Sequence, residues 1–198
     1  KDLPKLYDEY DYHARVALGD IKIENEKEAF HMKRLYEISH AAPPSRPPEI
    51  SFSHAAIVAQ LFHKREDVVK SLKKTGHYKK ELENEIFRRI EFARKWLEKY
   101  APDEMRFIIQ QNVPENLVLS NKQKEALKKI ADALEKKDFT EKSLFEEFYL
   151  IAKDVDIKPQ ELFRAGYLVL LNKDRGPRLA PFILTLGKEK VIELFRSV

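Results

Sequence analysis

Tyr167-Leu-Val-Leu-Leu-Asn-Lys-Asp-Arg-Gly-Pro-Arg-Leu-Ala-Pro-Phe-Ile-Leu-Thr-Leu-Gly187 decides the fold. Taken alone, the run Tyr167–Leu171 passes for a buried strand. It is continuous with Pro159-Gln-Glu and Gln160–Ala165, and Pro in a first turn opens a helix because its missing N–H has no partner there anyway. The run is therefore read as the end of a helix, Leu162–Leu171. The second apolar run, Phe182–Leu186, falls in another helix, Leu179–Leu186. Between them lies a basic hinge in which Lys173, Arg175 and Arg178 are opposed only by Asp174. Gly176-Pro177 breaks any regular element at its centre. The hinge reads two ways, as a clamp for a polyanion or as a solvated connection. Gly176 would let a phosphate come close to the backbone.

Working outward, the other segments carry helical spacing. Leu3–Leu18 has Leu3, Leu6, Tyr7, Tyr10, Ala14, Ala17 and Leu18 on one face and Asp8, Glu9 and Asp11 on the other, and ends at Gly19. Asn25 caps a second helix with Ala29, Phe30, Met32, Leu35, Tyr36 and Ile38 as its face. Four prolines in Pro43–Pro48 make an extended, stiff joint, read as a spacer and not as a proline-rich ligand. Ser53 is expected to cap His54–Phe62, followed by Arg65–Thr75, which stops at Gly76. Tyr78–Tyr100 reads as the longest helix, with core positions Tyr78, Leu82, Ile86, Ile90, Ala93, Leu97 and Tyr100, broadened by Phe87 and Trp96. A short helix is expected over Asp103–Gln111. Ser120 and Thr140 open Gln123–Lys137 and Ser143–Val155, the latter with Leu144, Phe145, Phe148, Tyr149, Ile151 and Ala152 inward. Lys188–Arg196 closes the chain. About ten helices and no strand make an all-α architecture, divided into helices over 1–42, a joint at 43–50, and further helices over 51–115 and 116–198.

Composition narrows the function. The 198 residues include 37 Lys and Arg against 33 Asp and Glu, a net charge of +4, which permits a nucleic-acid partner without demanding one. Hydrophobic residues at 43% exclude wholesale disorder. The absence of cysteine excludes disulfides, thiolate metal sites and a cysteine nucleophile. No apolar run approaches the ~18 residues of a membrane span, and no signal sequence opens the chain, so a cytoplasmic protein is expected. Dense Glu, Lys and Arg suit a thermophilic source. The start at Lys1, without methionine, is that expected of a piece of a longer protein.

Catalytic constellations are missing from the sequence. His13, His31, His40, His54, His63 and His77 include no pair at HExxH spacing, and there is no phosphate-cradling glycine loop or GxSxG elbow. Asp8-Glu9-Tyr10-Asp11 reads as a solvated face, since consecutive helix positions point apart. No catalytic or metal residue is expected. RNA contact has two candidate patches. Arg88, Arg89, Arg94 and Lys95 surround Trp96, a ring that could stack on a base. Glu85 and Glu91, four residues before Arg89 and Lys95, equally allow ordinary helix-surface ion pairs. The hinge residues Lys173, Arg175, Gly176 and Arg178 form the second patch.

Several stretches together resemble a known family. They are Leu6-Tyr-Asp-Glu-Tyr-Asp11 with Arg15 and Gly19, Ile50-Ser-Phe-Ser-His54, Ala59-Gln-Leu61, and Phe92-Ala-Arg-Lys-Trp-Leu-Glu-Lys-Tyr-Ala-Pro102 with Arg106 and Phe107. Gly176-Pro-Arg-Leu179, Phe182-Ile183 and Gly187-Lys-Glu189 complete the set. In combination they resemble the region after the catalytic domain of archaeal-type class I lysyl-tRNA synthetases. The closing pattern is shared more loosely with the helical anticodon-binding domain of glutamyl-tRNA synthetases. The resemblance implies a non-catalytic, tRNA-binding region, with stem-contact helices first and an α-helical anticodon cage last. It implies as partners a lysine-accepting tRNA and a catalytic domain of the same polypeptide, where HIGH- and KMSKS-like signatures would handle ATP and Mg; neither signature occurs here. A glutamyl-type anticodon domain and a helical protein-interaction domain without RNA binding remain the alternatives.

Overall fold

A computed structural model describes residues 2–39 and 46–198. Among the described residues there are ten α-helices and no strand. They are α1 (Leu3–Ala17), α2 (Glu26–Ser39), α3 (Phe52–Leu61), α4 (Arg65–Lys74), α5 (Glu83–Lys99), α6 (Asn121–Lys136), α7 (Glu141–Asp154), α8 (Pro159–Leu171), α9 (Leu179–Leu186) and α10 (Lys188–Arg196). Tyr167–Leu171 is helical, as its continuity with the preceding turn requires. The chain forms two compact units, Lys1–Ala59 with Lys64–Trp96, and Gln60–His63 with Leu97–Val198.

In the first unit, α1 packs on α2, and a buried ion pair ties three segments together. Arg89 of α5 donates to both oxygens of Asp11 of α1, through Nη2 at 2.8 Å and through Nη1, and Nη1 also donates to the Ile50 carbonyl at 2.9 Å. Both residues are buried, so Asp11 sits on the inner face of α1 and not among its solvated acids. Burial pushes the Asp11 carboxyl upward while the Arg89 bonds pull it back. Asp8 is structural too. Its Oδ1 accepts the Phe52 N–H at 2.9 Å and its Oδ2 the Ser53 hydroxyl at 2.9 Å, while Ser51 Oγ accepts the His54 N–H at 3.1 Å. The α3 terminus is therefore capped by Ser51 and Asp8 instead of Ser53, and the helix starts at Phe52.

The proline joint falls partly outside the described residues, at 43–45. Its described end carries no helix, and Arg15 Nη2 donates to Pro48 O at 3.0 Å. Lys79 and Arg15 both pair with Glu49, at 2.6 and 3.1 Å. Asn25 caps α2 as expected, accepting from the Lys27 and Glu28 N–H groups. Of the expected α2 face only Tyr36 is buried; Phe30 and Ile38 are exposed. His54 is buried edge-on to His77, ring centroids 4.5 Å apart. Burial, helped by His77, lowers the His54 pKa to about 3. The long helix begins a turn late, after a 3-10 turn at Lys80–Leu82, and Tyr100 lies exposed beyond its end.

In the second unit, α6 packs against α10 and α8, and α7 against α8 and α9. Ser120 forms the expected capping box with Gln123, and Thr140, expected to open the next helix, forms one with Ser143. The helix expected over Asp103–Gln111 does not form: only Asp103–Met105 makes a 3-10 turn. Arg106 instead turns back to donate to the orphan carbonyls Leu97 O at 2.7 Å and Glu98 O at 3.3 Å. The Phe107 N–H bonds Gln60 Oε1 at 2.9 Å and the Gln110 N–H bonds Leu170 O at 2.9 Å. These outside partners take the N–H groups that a helix would have used. On α7, Leu144, Phe148, Ile151 and Ala152 are buried, but Phe145 and Tyr149 are 48% and 46% exposed.

Candidate nucleic-acid interface

The hinge between α8 and α9 is fastened from beneath. Asn172 closes α8 in the left-handed conformation, φ 53° and ψ 41°, which turns the chain out of the helix. Lys173 Nζ then donates to the carbonyls of Asp103 and Arg106 at 2.7 and 2.6 Å. Arg164 Nε donates to Asp174 Oδ1 at 2.7 Å. Tyr167, one turn further along α8, donates its hydroxyl to Pro177 O at 2.7 Å, and burial raises its phenol pKa. Gly176 lies against the same ring: a Cβ there would stand 2.8 Å from Leu171 Cδ1 and 2.9 Å from Tyr167 Cδ1. The missing side chain thus makes room for α8, so the space is filled by protein and not left open to a phosphate.

Arg175 and Arg178 are what this clamping leaves outside. Both are exposed, and among the described residues neither guanidinium has a hydrogen bond, ion pair or ring partner. A planar guanidinium with unused donors accepts a phosphate through paired N–H···O bonds, and a loop fixed in advance loses little freedom in doing so. Lys173 differs, because its ammonium is already committed to two carbonyls.

The α5 patch is dispersed over its helix. Arg89 is buried on Asp11, and Trp96 is buried edge-on to Phe52, centroids 5.8 Å apart at 74°. Neither is exposed to a base or phosphate. Arg88 is exposed, and Arg94 is half-buried. The helix-surface pairs Glu85–Arg89 and Glu91–Lys95 do not form among the described residues.

Two features of the site were not read from the sequence. One is the Tyr167–Pro177 clamp, whose signal is only a tyrosine ten residues before a proline. The other is an aromatic cluster of Phe145, Tyr149 and Phe163, with Phe145–Tyr149 centroids 5.0 Å apart and Tyr149–Phe163 6.1 Å. Its signal was present: Leu144, Phe148, Ile151 and Ala152 already complete a helical stripe, which leaves Phe145 and Tyr149 surplus to the core.

Comparison with known proteins places most of these residues within a known family. Residues 84–196 match the family model described as "Anticodon binding domain". A lysine–tRNA ligase of Picrophilus torridus is 30% identical over 196 residues, covering 99% of this chain and 38% of the relative. One from Thermococcus kodakarensis is 35% identical over 201 residues, covering 98% and 38%, and one from Borreliella burgdorferi 30% identical over 196 residues, covering 96% and 36%. The chain spans less than two-fifths of the length of these relatives. With more than half of its residues inside the family model, the chain belongs to the anticodon-binding domain family.

Proposed function

We propose that this chain recognises the anticodon arm of a lysine-accepting tRNA as the C-terminal region of a class I lysine–tRNA ligase, supplying position and specificity but no bond-making group. The observation that carries the reading is the hinge. Inside the matched family region Arg175 and Arg178, two guanidiniums without a partner among the described residues, stand on a loop clamped by Tyr167. Phosphate contacts from such residues set the register of an RNA, while its unstacked bases are read elsewhere on the surface. Arg88 and Arg94 offer secondary phosphate contacts. Lys173 and Gly176 serve by holding the loop.

In this reading residues 1–42 are stem-contact helices, 43–50 a joint, 51–115 a bundle and 116–198 the anticodon cage. The catalytic domain of the same polypeptide would bind ATP and Mg and join lysine to the tRNA, in the cytoplasm. No helix among the described residues is long and apolar enough to cross a membrane.

The test is binding of the 198-residue chain to anticodon stem-loops across roughly 50 to 200 mM salt. The expected result is a linear fall of log affinity with log salt and a preference for the lysine anticodon. A preference for a glutamate anticodon moves the identity to a glutamyl-type ligase. Loss of both slope and preference leaves a helical protein-interaction domain.

A further inference from the structure

We infer that Phe145, Tyr149 and Phe163 form a platform on which unstacked bases of the bound RNA lie; this rests on the RNA reading above and supplies the base contacts that the hinge cations do not make. The cluster joins two helices. Phe145 and Tyr149 stand one turn apart on α7, and Phe163 faces them from α8, with the Phe145 and Phe163 rings 6.2 Å apart and within 11° of parallel. A flat base lying on one of these two rings is thus parallel to the other, and the Tyr149 ring, tilted 60° from Phe145 and 71° from Phe163, meets such a base with its edge. Underneath, fully buried Phe148 packs edge-on against Phe163 at 5.9 Å. Phe163 is therefore held by the core and loses little freedom on binding, while Phe145 and Tyr149 stand about half exposed against it.

What singles out RNA as the occupant is continuity with the hinge. Phe163 and Tyr167 are one turn apart on α8 and share a face, and the Tyr167 hydroxyl bonds Pro177, between Arg175 and Arg178 in the chain. The face of α8 that carries Phe163 thus also carries the tyrosine that fastens the loop bearing Arg175 and Arg178, and aromatic rings beside cations are the pairing by which single-stranded nucleic acid is held. The charged groups at the platform are largely neutralised locally: Lys142 reaches Glu146 at 4.0 Å on α7, and Arg164 pairs with Asp174 on the hinge side. Stacking is tolerant of base identity, so the platform orders the loop, and selection among anticodons arises from contacts beyond it.

The experiment uses the 198-residue chain and a lysine-anticodon stem-loop carrying 2-aminopurine at successive loop positions. In the wild type, binding quenches the probe at one or more positions through stacking. Phe145→Leu with Tyr149→Leu weakens binding by about tenfold and abolishes the quench while leaving the salt slope unchanged. Phe145→Tyr with Tyr149→Phe restores both. Arg175→Ala with Arg178→Ala does the converse, flattening the slope while the quench persists at saturating protein. Wild-type affinity and quench in the leucine pair, with the salt slope intact, overturns the platform and leaves the RNA reading standing. Absence of salt-dependent binding by the wild type overturns the reading itself. Should the leucine pair not fold, photocrosslinking of a 5-iodouridine stem-loop to the wild type decides: adducts at Tyr149 support the platform, and adducts elsewhere only overturn it.

Discussion

Arg89 in α5 and Arg175 with Arg178 in the hinge are the same residue type, each among several other cations, yet they meet opposite fates. Arg89 falls one residue before Ile90 and three after Ile86, inside the buried stripe of a long amphipathic helix, and it finishes bonded to Asp11 and Ile50. Arg88, one position earlier and about 100° around the helix, stays exposed. In the hinge there is no stripe to fall into. The loop is pinned through Tyr167, Lys173 and Asp174, and Arg175 and Arg178 take no part in the pinning. The register of a cation against its apolar neighbours decides whether it serves the fold or a ligand. The local density of positive charge does not.

The comparison breaks most visibly at Arg89. Arg89→Met leaves the Asp11 carboxylate buried without its partner, and removing one member of a buried pair costs about 3–5 kcal/mol. Urea unfolding should show that loss. Arg89→Met with Asp11→Leu should recover most of it, because the stranded charge is gone. A single-variant loss below about 1 kcal/mol would mean that water reaches the pair.

His54 sharpens the same side of the comparison, being a second ionisable group taken into the first unit. Its folded pKa of about 3 lies far below the unfolded value, so protonation favours the unfolded chain. Its stability contribution is present above the unfolded pKa of about 6.5 and is lost as pH falls toward 3. Between pH 7 and pH 5, above most carboxylate titrations, the wild type should lose about 2 kcal/mol from this residue. His54→Leu should remove that part of the pH dependence, and a flat wild-type profile in urea melts would refute it.

The helices were legible because their spacing, caps and prolines agree: Ser120, Thr140, Pro159 and Gly187 mark ends that the structure keeps. Failures came where a partner distant in sequence outweighed a local preference. Asp103–Gln111 reads as helical until Gln60 and Leu170 take its N–H groups. Asp11 reads as solvated until Arg89, 78 positions away, is brought against it. At the candidate interface the basic hinge could be read because it breaks two apolar runs. The identity of its free cations could not, since it depends on Lys173 reaching Asp103 and Arg106. Phe145 and Tyr149 count as core when every apolar residue on α7 is taken as buried, and the structure leaves both about half exposed.

The clamp beneath the hinge should show a smaller effect than either buried group. Gly176→Ala drives a methyl into the Tyr167 ring and Leu171. Leu171 can yield by changing rotamer, the ring less so, and a cost of about 1 kcal/mol is expected in urea unfolding. Tyr167→Phe removes one hydrogen bond at a similar cost of about 1 kcal/mol. Both variants should also weaken binding of the stem-loop by loosening Arg175 and Arg178. Unaltered binding in both would mean that the loop need not be held.

The smallest effect on stability belongs to the residues given the largest role in binding. Arg175→Ala with Arg178→Ala removes two exposed guanidiniums without a protein partner among the described residues, and should leave the unfolding free energy within about 0.5 kcal/mol of wild type. The same pair should flatten the log–log salt dependence of RNA binding by about 0.7 for each phosphate no longer neutralised. Arg89→Met is its mirror image, costing stability while leaving the slope of the folded fraction unchanged. Two arginine substitutions with opposite signatures in the same pair of assays would separate structural cations from binding cations. If Arg175 and Arg178 instead prove costly to fold and neutral to RNA, the clamped hinge is a structural corner and the phosphate contacts must be sought at Arg88 and Arg94.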